Sequence, residues 1–464
     1  MKLLAAYMVP HPPLIIPEIG NGQEKGIQAT IDSYKLVAEE IRRENPDTIV
    51  IVSPHSIMYA DYFHISPGSW AKGDFSNFRA PQVSFQVGYD QEFADRITTL
   101  SEQNDIPAGY LGERDSDLDH GTMVPLYFIE EAYGGKFPGK IVRIGLSGLS
   151  FEKHYRMGQV IQRVATELDR KTIFIASGDL SHRLKEDGPY GYKKEGPEYD
   201  KKVMEYASCG DFMNLLLMKE EFCELAGECG HRSFCMMAGV LDGVEVQAKQ
   251  LSYEGPFGVG YGVVSFHPTC YDEEKSILDR VMEVKKRKLA ERKNKEDIYV
   301  KLARKSLEEY IRTGQIIPVS NDLPQELLSR RAGCFVSLKK EGVLRGCIGT
   351  IVPTKQTLAE EIIENAISAA TRDPRFDPVE QEEMEYLEYS VDVLGEIESI
   401  ASPKELDVKK YGVIVSKGSK RGLLLPNLEG IDTVEEQIRI AKQKAQISEK
   451  EAVSLERFEV VRHY

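Results

Sequence analysis

The stretch Leu3-Leu-Ala-Ala-Tyr-Met-Val-Pro-His-Pro-Pro13 runs an apolar segment into a histidine set among prolines, and two later stretches repeat the design. Ile49-Val-Ile-Val52 leads through Ser53 and Pro54 to His55, and Ile173-Phe-Ile-Ala176 leads through Ser177-Gly-Asp-Leu-Ser181 to His182. Apolar runs of four to eight residues bounded by Gly or Pro are signals of buried strands. Between them, residues 27–43 and 155–168 carry helical periodicity. The order β-α-β-α predicts an α/β fold: a mostly parallel sheet flanked by helices on both faces. Ligands of such sheets bind outside the carboxyl ends of the strands. His11, His55 and His182 are therefore placed to converge on one pocket, and the prolines around His11 stiffen the backbone that must hold a ligand.

At 464 residues the chain exceeds what one core usually serves, so two or three domains are expected. A net charge of -15 argues against a nucleic-acid partner, because a phosphate-tracking surface needs a concentrated excess of Lys and Arg. The apolar run at the start is short, meets prolines and has no small-residue cleavage site after it, so it reads as a strand and not as a signal peptide. No apolar stretch approaches the ~20 residues that span a bilayer, and no membrane partner is expected. Seven cysteines, an odd number without an export signal, fit a reducing compartment, with the cytoplasm as the expected location. Tyr261–Phe266 reads as a closing strand and Asp279–Lys295 as a charged helical run. They divide the chain into a domain at 1–268, a charged helical linker at 269–296 and a second domain at 297–464.

His120, in Leu118-Asp-His-Gly-Thr122, precedes an apolar helical run from Met123 to Ala132 and so sits at a helix start. A metal held by His11 and His55 also needs an anionic ligand. Ala226-Gly-Glu-Cys-Gly-His-Arg-Ser233 offers two, Glu228 and Cys229, beside a second helix start. Two histidines and one carboxylate form the facial triad of non-haem Fe(II) sites, which leaves positions open for substrate and O2. His182 and His120 suit the proton-carrying role that such chemistry requires. His64, His154 and His267 read as structural, and His231 draws notice only because it neighbours Glu228 and Cys229.

The ordered set Pro10-His-Pro-Pro13, Ser53-Pro-His55, Leu118-Asp-His-Gly121, Gly178-Asp-Leu-Ser-His182 and Glu228-Cys-Gly-His231 resembles the class III extradiol ring-cleavage dioxygenases of B-subunit type, and within them the MEMO branch. The resemblance implies an Fe(2+) site from His11, His55 and a third ligand, with another divalent metal or copper as alternatives. It also implies His182 and His120 as acid–base groups and a catechol-like or other small aromatic substrate. The MEMO branch carries cysteine where the dioxygenases carry the carboxylate, which puts Cys229 in the ligand position. Glu228 is favoured on hardness, since thiolate invites oxidation or a softer metal.

In the second half, 298–312 and 358–371 read as helices and 333–338 and 389–394 as strands, giving a separate α/β domain. Leu344-Arg-Gly-Cys-Ile-Gly-Thr350, with Thr371-Arg-Asp-Pro-Arg-Phe376 and Gly422-Leu-Leu-Leu-Pro426, resembles the AMMECR1 family over about residues 290–464. Arg345 could meet an anion and Cys347 could act as a nucleophile; alternatively, the glycines serve close strand packing and Cys347 is a small buried hydrophobe. MEMO-like and AMMECR1-like domains accompany radical SAM proteins, so the resemblance implies such a partner. Against the enzymatic reading stands a catalytically retired metal-binding or interaction protein.

Overall fold

The computed structural model describes residues 2–112, 117–340, 342–428 and 430–464. It divides into two compact units, 1–285 and 286–464.

The first unit is built on an eight-stranded sheet. Its centre is the four strands Leu3–Val9, Thr172–Ser177, Thr48–Ser53 and Lys140–Gly145, adjacent in that order and all parallel. The mostly parallel sheet expected from the histidine-ended runs is thus present. Thr48–Ser53 and Thr172–Ser177 are buried from end to end because both faces are covered, which is why they read as unbroken apolar runs. Successive residues alternate between two cores. Ile49, Ile51, Ile173 and Ile175 pack with Ile31, Val37, Ile41 and Leu126, while Val50, Val52, Phe174 and Ala176 pack with Tyr155, Ile161, Phe234 and Met237. Helices Gln28–Glu44 and His120–Tyr133 supply the first core, and Phe151–Glu167 and His231–Val240 the second. Each edge of the sheet is an antiparallel hairpin, Trp70–Phe75 with Ala80–Tyr89 and Val244–Glu254 with Tyr261–Tyr271.

The second unit holds two four-stranded antiparallel sheets. Val343–Gly349, Cys334–Lys340, Leu387–Leu394 and Val460–His463 form one, whose core includes side chains from helices Ile298–Thr313 and Leu358–Thr371. Glu398–Ile400, Ser454–Phe458, Gly412–Lys417 and Lys420–Leu424 form the other, packed with helix Val434–Lys444. The charged run that separates the halves in sequence is the helix Leu278–Lys295. Among the described residues no helix is long and apolar enough to cross a membrane.

Candidate metal centre

His11 stands two residues past the end of Leu3–Val9 and is buried. Its main-chain N–H donates to Asp179 Oδ1 at 2.8 Å, and its Nδ1 lies 2.9 Å from Ser177 Oγ. The single proton of Ser177 Oγ goes to the carbonyl of Gly121, 2.6 Å away. The hydroxyl therefore accepts from His11, which carries its own proton on Nδ1 and leaves Nε2 as a bare lone pair. That lone pair faces His55 Nε2 at 3.0 Å and Cys229 Sγ at 3.6 Å. A fixed tautomer, with one ring nitrogen donating to the protein and the other open, is how metal-binding histidines are held.

The helix His120–Tyr133 brings the next imidazole. Asp119 caps it, accepting from the Thr122 N–H at 3.0 Å, and is in turn held by Ser53 Oγ at 2.5 Å and buried Arg143 at 3.6 Å. Ring centres of His120 lie 4.0 Å from His55 and 5.4 Å from His11. Donor atoms close within 4.8 Å of one another in two sets that share His11: His11, His55 and His120, and His11, Asp179 and Cys229.

His182 approaches from the loop after Thr172–Ser177. Its ring stacks on Tyr190, centres 5.1 Å apart, and its Nε2 lies 3.8 Å from Asp179 Oδ2. That nitrogen is buried without a hydrogen-bond partner among the described residues. An orphaned buried acceptor is costly, and its presence beside the imidazole cluster is what a site for a ligand leaves behind.

Burial sets the charge state of the cluster. It pushes His120 and His182 down to about 4, helped in each by the neighbouring His55, and it holds His55 and His11 low as well. All four are neutral near pH 7, and neutral imidazole is the form that binds a metal. Burial also lifts Asp179 to about 7 and raises the Cys229 thiol. A cation among these groups would reverse both shifts, so the donor set fits a metal ion.

Glu228, favoured from sequence as third ligand, does not join the cluster. Its carboxylate turns to the helix His231–Val240 and accepts from the His231 N–H at 2.5 Å. An acidic group at a helix start is stabilised there by the unpaired N–H groups, and adjacency in sequence sends Cys229 the opposite way, toward His11. Asp179, Ser177 and Tyr190 belong to the site and carried no role in the sequence reading. Asp179 and Ser177 were within reach there, as members of the strand-end stretch that leads to His182. The remaining histidines of the first unit are occupied: His231 by Tyr199 and the Leu215 carbonyl, His154 by the Ser150 carbonyl, His64 by the Leu111 carbonyl, and His267 by Glu40.

In the second unit the glycine-punctuated motif is closed. Arg345 forms a two-bond pair with Glu383 at 3.0 and 2.8 Å and donates to the carbonyls of Asp377 and Pro378. Val343–Gly349 is an edge strand, and the outward N–H of Cys347 is taken by Asp373 while its carbonyl accepts from Arg375. A Cβ on Gly346 would stand 2.1 Å from the Ala369 carbonyl, so the glycine serves close packing of helix on strand.

Two strand-end histidines, His11 and His55, with His120 from a helix start and Cys229, at the carboxyl edge of a parallel sheet define an α/β protein with a metal-type donor cluster. The chain belongs to the family described as the catalytic LigB subunit of aromatic ring-opening dioxygenase, which matches residues 5–264. Residues 300–463 match the AMMECR1 family. A protein of Clostridium acetobutylicum is 44% identical over 100% of this chain and 99% of its own length. One of Thermotoga maritima is 54% identical over 36% of this chain and 96% of its own. Among solved structures, an uncharacterized protein of Pyrococcus horikoshii is 37% identical, covering 35% of this chain and 88% of that one with a TM-score of 0.34.

Proposed function

We propose that the N-terminal half is a metal-dependent oxidoreductase of the ring-opening dioxygenase kind, acting on a catechol-like or other small aromatic substrate, with Fe(II) held by His11, His55 and Cys229. The observation that carries the reading is the bare Nε2 of His11, its tautomer fixed from behind by Ser177 and its lone pair facing both His55 Nε2 and Cys229 Sγ. When bound, Fe(II) supplies the electron chemistry that O2 requires and acidifies a hydroxyl oxygen of the substrate. The chain's own residues do the rest. His182, neutral and unpartnered at Nε2, takes the hydroxyl proton and returns it later in the reaction.

One observation favours a second reading. The sulphur of Cys229 stands where a hard carboxylate suits O2 chemistry, and sulphur is oxidation-prone. A metal-binding or interaction protein that works with a separate radical SAM partner would tolerate it. Metal analysis of anaerobically purified chain, followed by O2 uptake on a panel of catechols, separates the two. Stoichiometric iron and ring cleavage, both lost in His11→Ala, are expected. Iron-free, inactive protein would sink the first reading and leave the second.

A further inference from the structure

We propose that His120 is a ligand of the ion, on the same side of His11 as His55, and that His182 alone carries protons. This inference rests on the reading of the cluster as a metal centre.

The geometry separates the two histidines that the sequence paired in one role. The donor nitrogens of His120, His11 and His55 lie within 4.8 Å of one another, whereas His182 belongs to neither donor set and lies against Asp179 and Tyr190. Nitrogens bound at about 2.1 Å to one ion stand at most about 4.2 Å apart, and about 3 Å apart at a right angle. His11 and His55 already have the right-angle spacing at 3.0 Å. With its nitrogen within 4.8 Å of both, His120 needs a closing motion of no more than about half an ångström, which a side-chain torsion provides.

The backbone that carries His120 is tied to the segments that carry the other two. Asp119 takes the Ser53 hydroxyl while capping the helix that His120 begins, and Ser53 Oγ also accepts from the His55 N–H at 3.2 Å. One carboxylate thus fixes the chain at both His55 and His120. Ser177 ties the third: its hydroxyl joins His11 Nδ1 to the carbonyl of Gly121, the residue after His120. Gly121 permits the approach, because a Cβ there would stand 2.3 Å from Ser53 Oγ. The backbone at His55 and His120 and the ring of His11 are thus tied together through two hydroxyls and a carboxylate, which fixes where the three imidazoles begin. A free proton carrier has no need of such ties.

Cobalt(II), added to the anaerobic full-length chain, is the probe. Its affinity is read by competition with a chelator and its ligand number by visible absorption. His120→Ala is expected to weaken binding by more than about 10-fold and to change the absorption, with added imidazole restoring both. His182→Ala is expected to change affinity by less than about 2-fold, since no bond to the ion is lost. Gly121→Ala, which forces the helix start away from Ser53, should move affinity in the direction of His120→Ala. If alanine at 120 costs the fold, judged by circular dichroism, His120→Gln takes its place. Wild-type affinity and absorption in the His120 variant overturn the inference while the metal centre stands. A wild-type chain that takes up no cobalt overturns both.

Discussion

The strand-end site and the Leu344–Thr350 motif, one in each unit, are alike as sequence: both set a reactive side chain beside Gly or Pro. Their structures differ in what is left over. In the motif Arg345 is engaged by Glu383 and two carbonyls, and Asp373 and Arg375 cover the exposed edge at Cys347. In the site, the His11 ring is held at Nδ1 with its Nε2 facing other donor atoms, and the His182 Nε2 has no hydrogen-bond partner among the described residues. Small residues around a polar group mark close packing in both. Only unused lone pairs, aimed at one another at neutral charge, mark a place for a ligand.

Two substitutions should pull the regions apart most strongly. His11→Ala removes the donor common to both sets, and metal retention is expected to fall by at least about 100-fold with little change in the unfolding midpoint of the metal-free chain. Gly346→Ala should do the reverse. The added methyl meets the backbone of helix Leu358–Thr371, costing on the order of 1–3 kcal/mol in the second unit, and metal retention should stay at the wild-type value. Chelator competition and urea unfolding, run on both variants, check the pair. Equal loss of metal in both would erase the contrast.

The contrast also explains what could be read in advance. Three of the four central strands, Leu3–Val9, Thr48–Ser53 and Thr172–Ser177, were legible because burial on both faces leaves a short unbroken apolar run, while the fourth, Lys140–Gly145, interrupted by Arg143, was not. Helix Leu358–Thr371 was legible to the residue, since Thr357 and Glu360 form a capping box at its start. The edge hairpin of Trp70–Phe75 with Ala80–Tyr89 was not legible, although Tyr261–Phe266 at the other edge was read as a strand. Trp70–Phe75 and Ala80–Tyr89 are half solvated, so their apolar residues are few and spaced among polar ones. His11, His55 and His182 follow strands Leu3–Val9, Thr48–Ser53 and Thr172–Ser177, as the apolar runs before them indicated. The choice between Glu228 and Cys229 was not legible, because it depends on which way adjacent side chains turn after Gly227, at φ +66°. Ligand hardness could not decide a question of backbone direction.

Acid should separate the units next. In the first, burial holds His120 and His182 at about 4 and His154 and His231 at about 3, and His11 also below its ordinary value. Each depressed histidine contributes stability that is present above its unfolded value near 6.5 and is lost as pH falls toward the folded one. Asp179, Asp200 and Glu228, lifted by burial to about 7, act in the opposite sense over the same window. The histidines outnumber them, so the metal-free first unit should lose stability between pH 6.5 and 4.5. In the second, burial pushes Glu383 up, but the bonds from Arg345 and its neighbours hold it near 2, so that pair persists through the same window. The only tryptophan, Trp70, lies in the first unit and reports its unfolding alone. A Trp70 urea midpoint that stays flat or rises on acidification would contradict the histidine count.

The finest distinction concerns Tyr190. Its ring stacks on His182 at 28° between planes, yet the residue is 62% exposed. A tyrosine kept for packing would be buried, and one kept for solubility would not lie on an imidazole. With no hydrogen bond at Nε2, the His182 ring depends on that stack for its orientation. Aromatic pairs contribute about 0.5–1.5 kcal/mol beyond burial, equivalent to roughly 2- to 10-fold in rate if the orientation is needed in the transition state. Tyr190→Ala should therefore lower turnover by that factor, and Tyr190→Phe, which keeps the ring, should restore it. A loss in both variants would assign the role to the hydroxyl instead. Carbethoxylation of His182, followed by mass spectrometry, tests the same point without substrate: it should quicken in Tyr190→Ala and not in Tyr190→Phe. Arg345, engaged by Glu383 and two carbonyls, has no equivalent dependence on one exposed neighbour, which is why the motif should tolerate changes at its surface that the site does not.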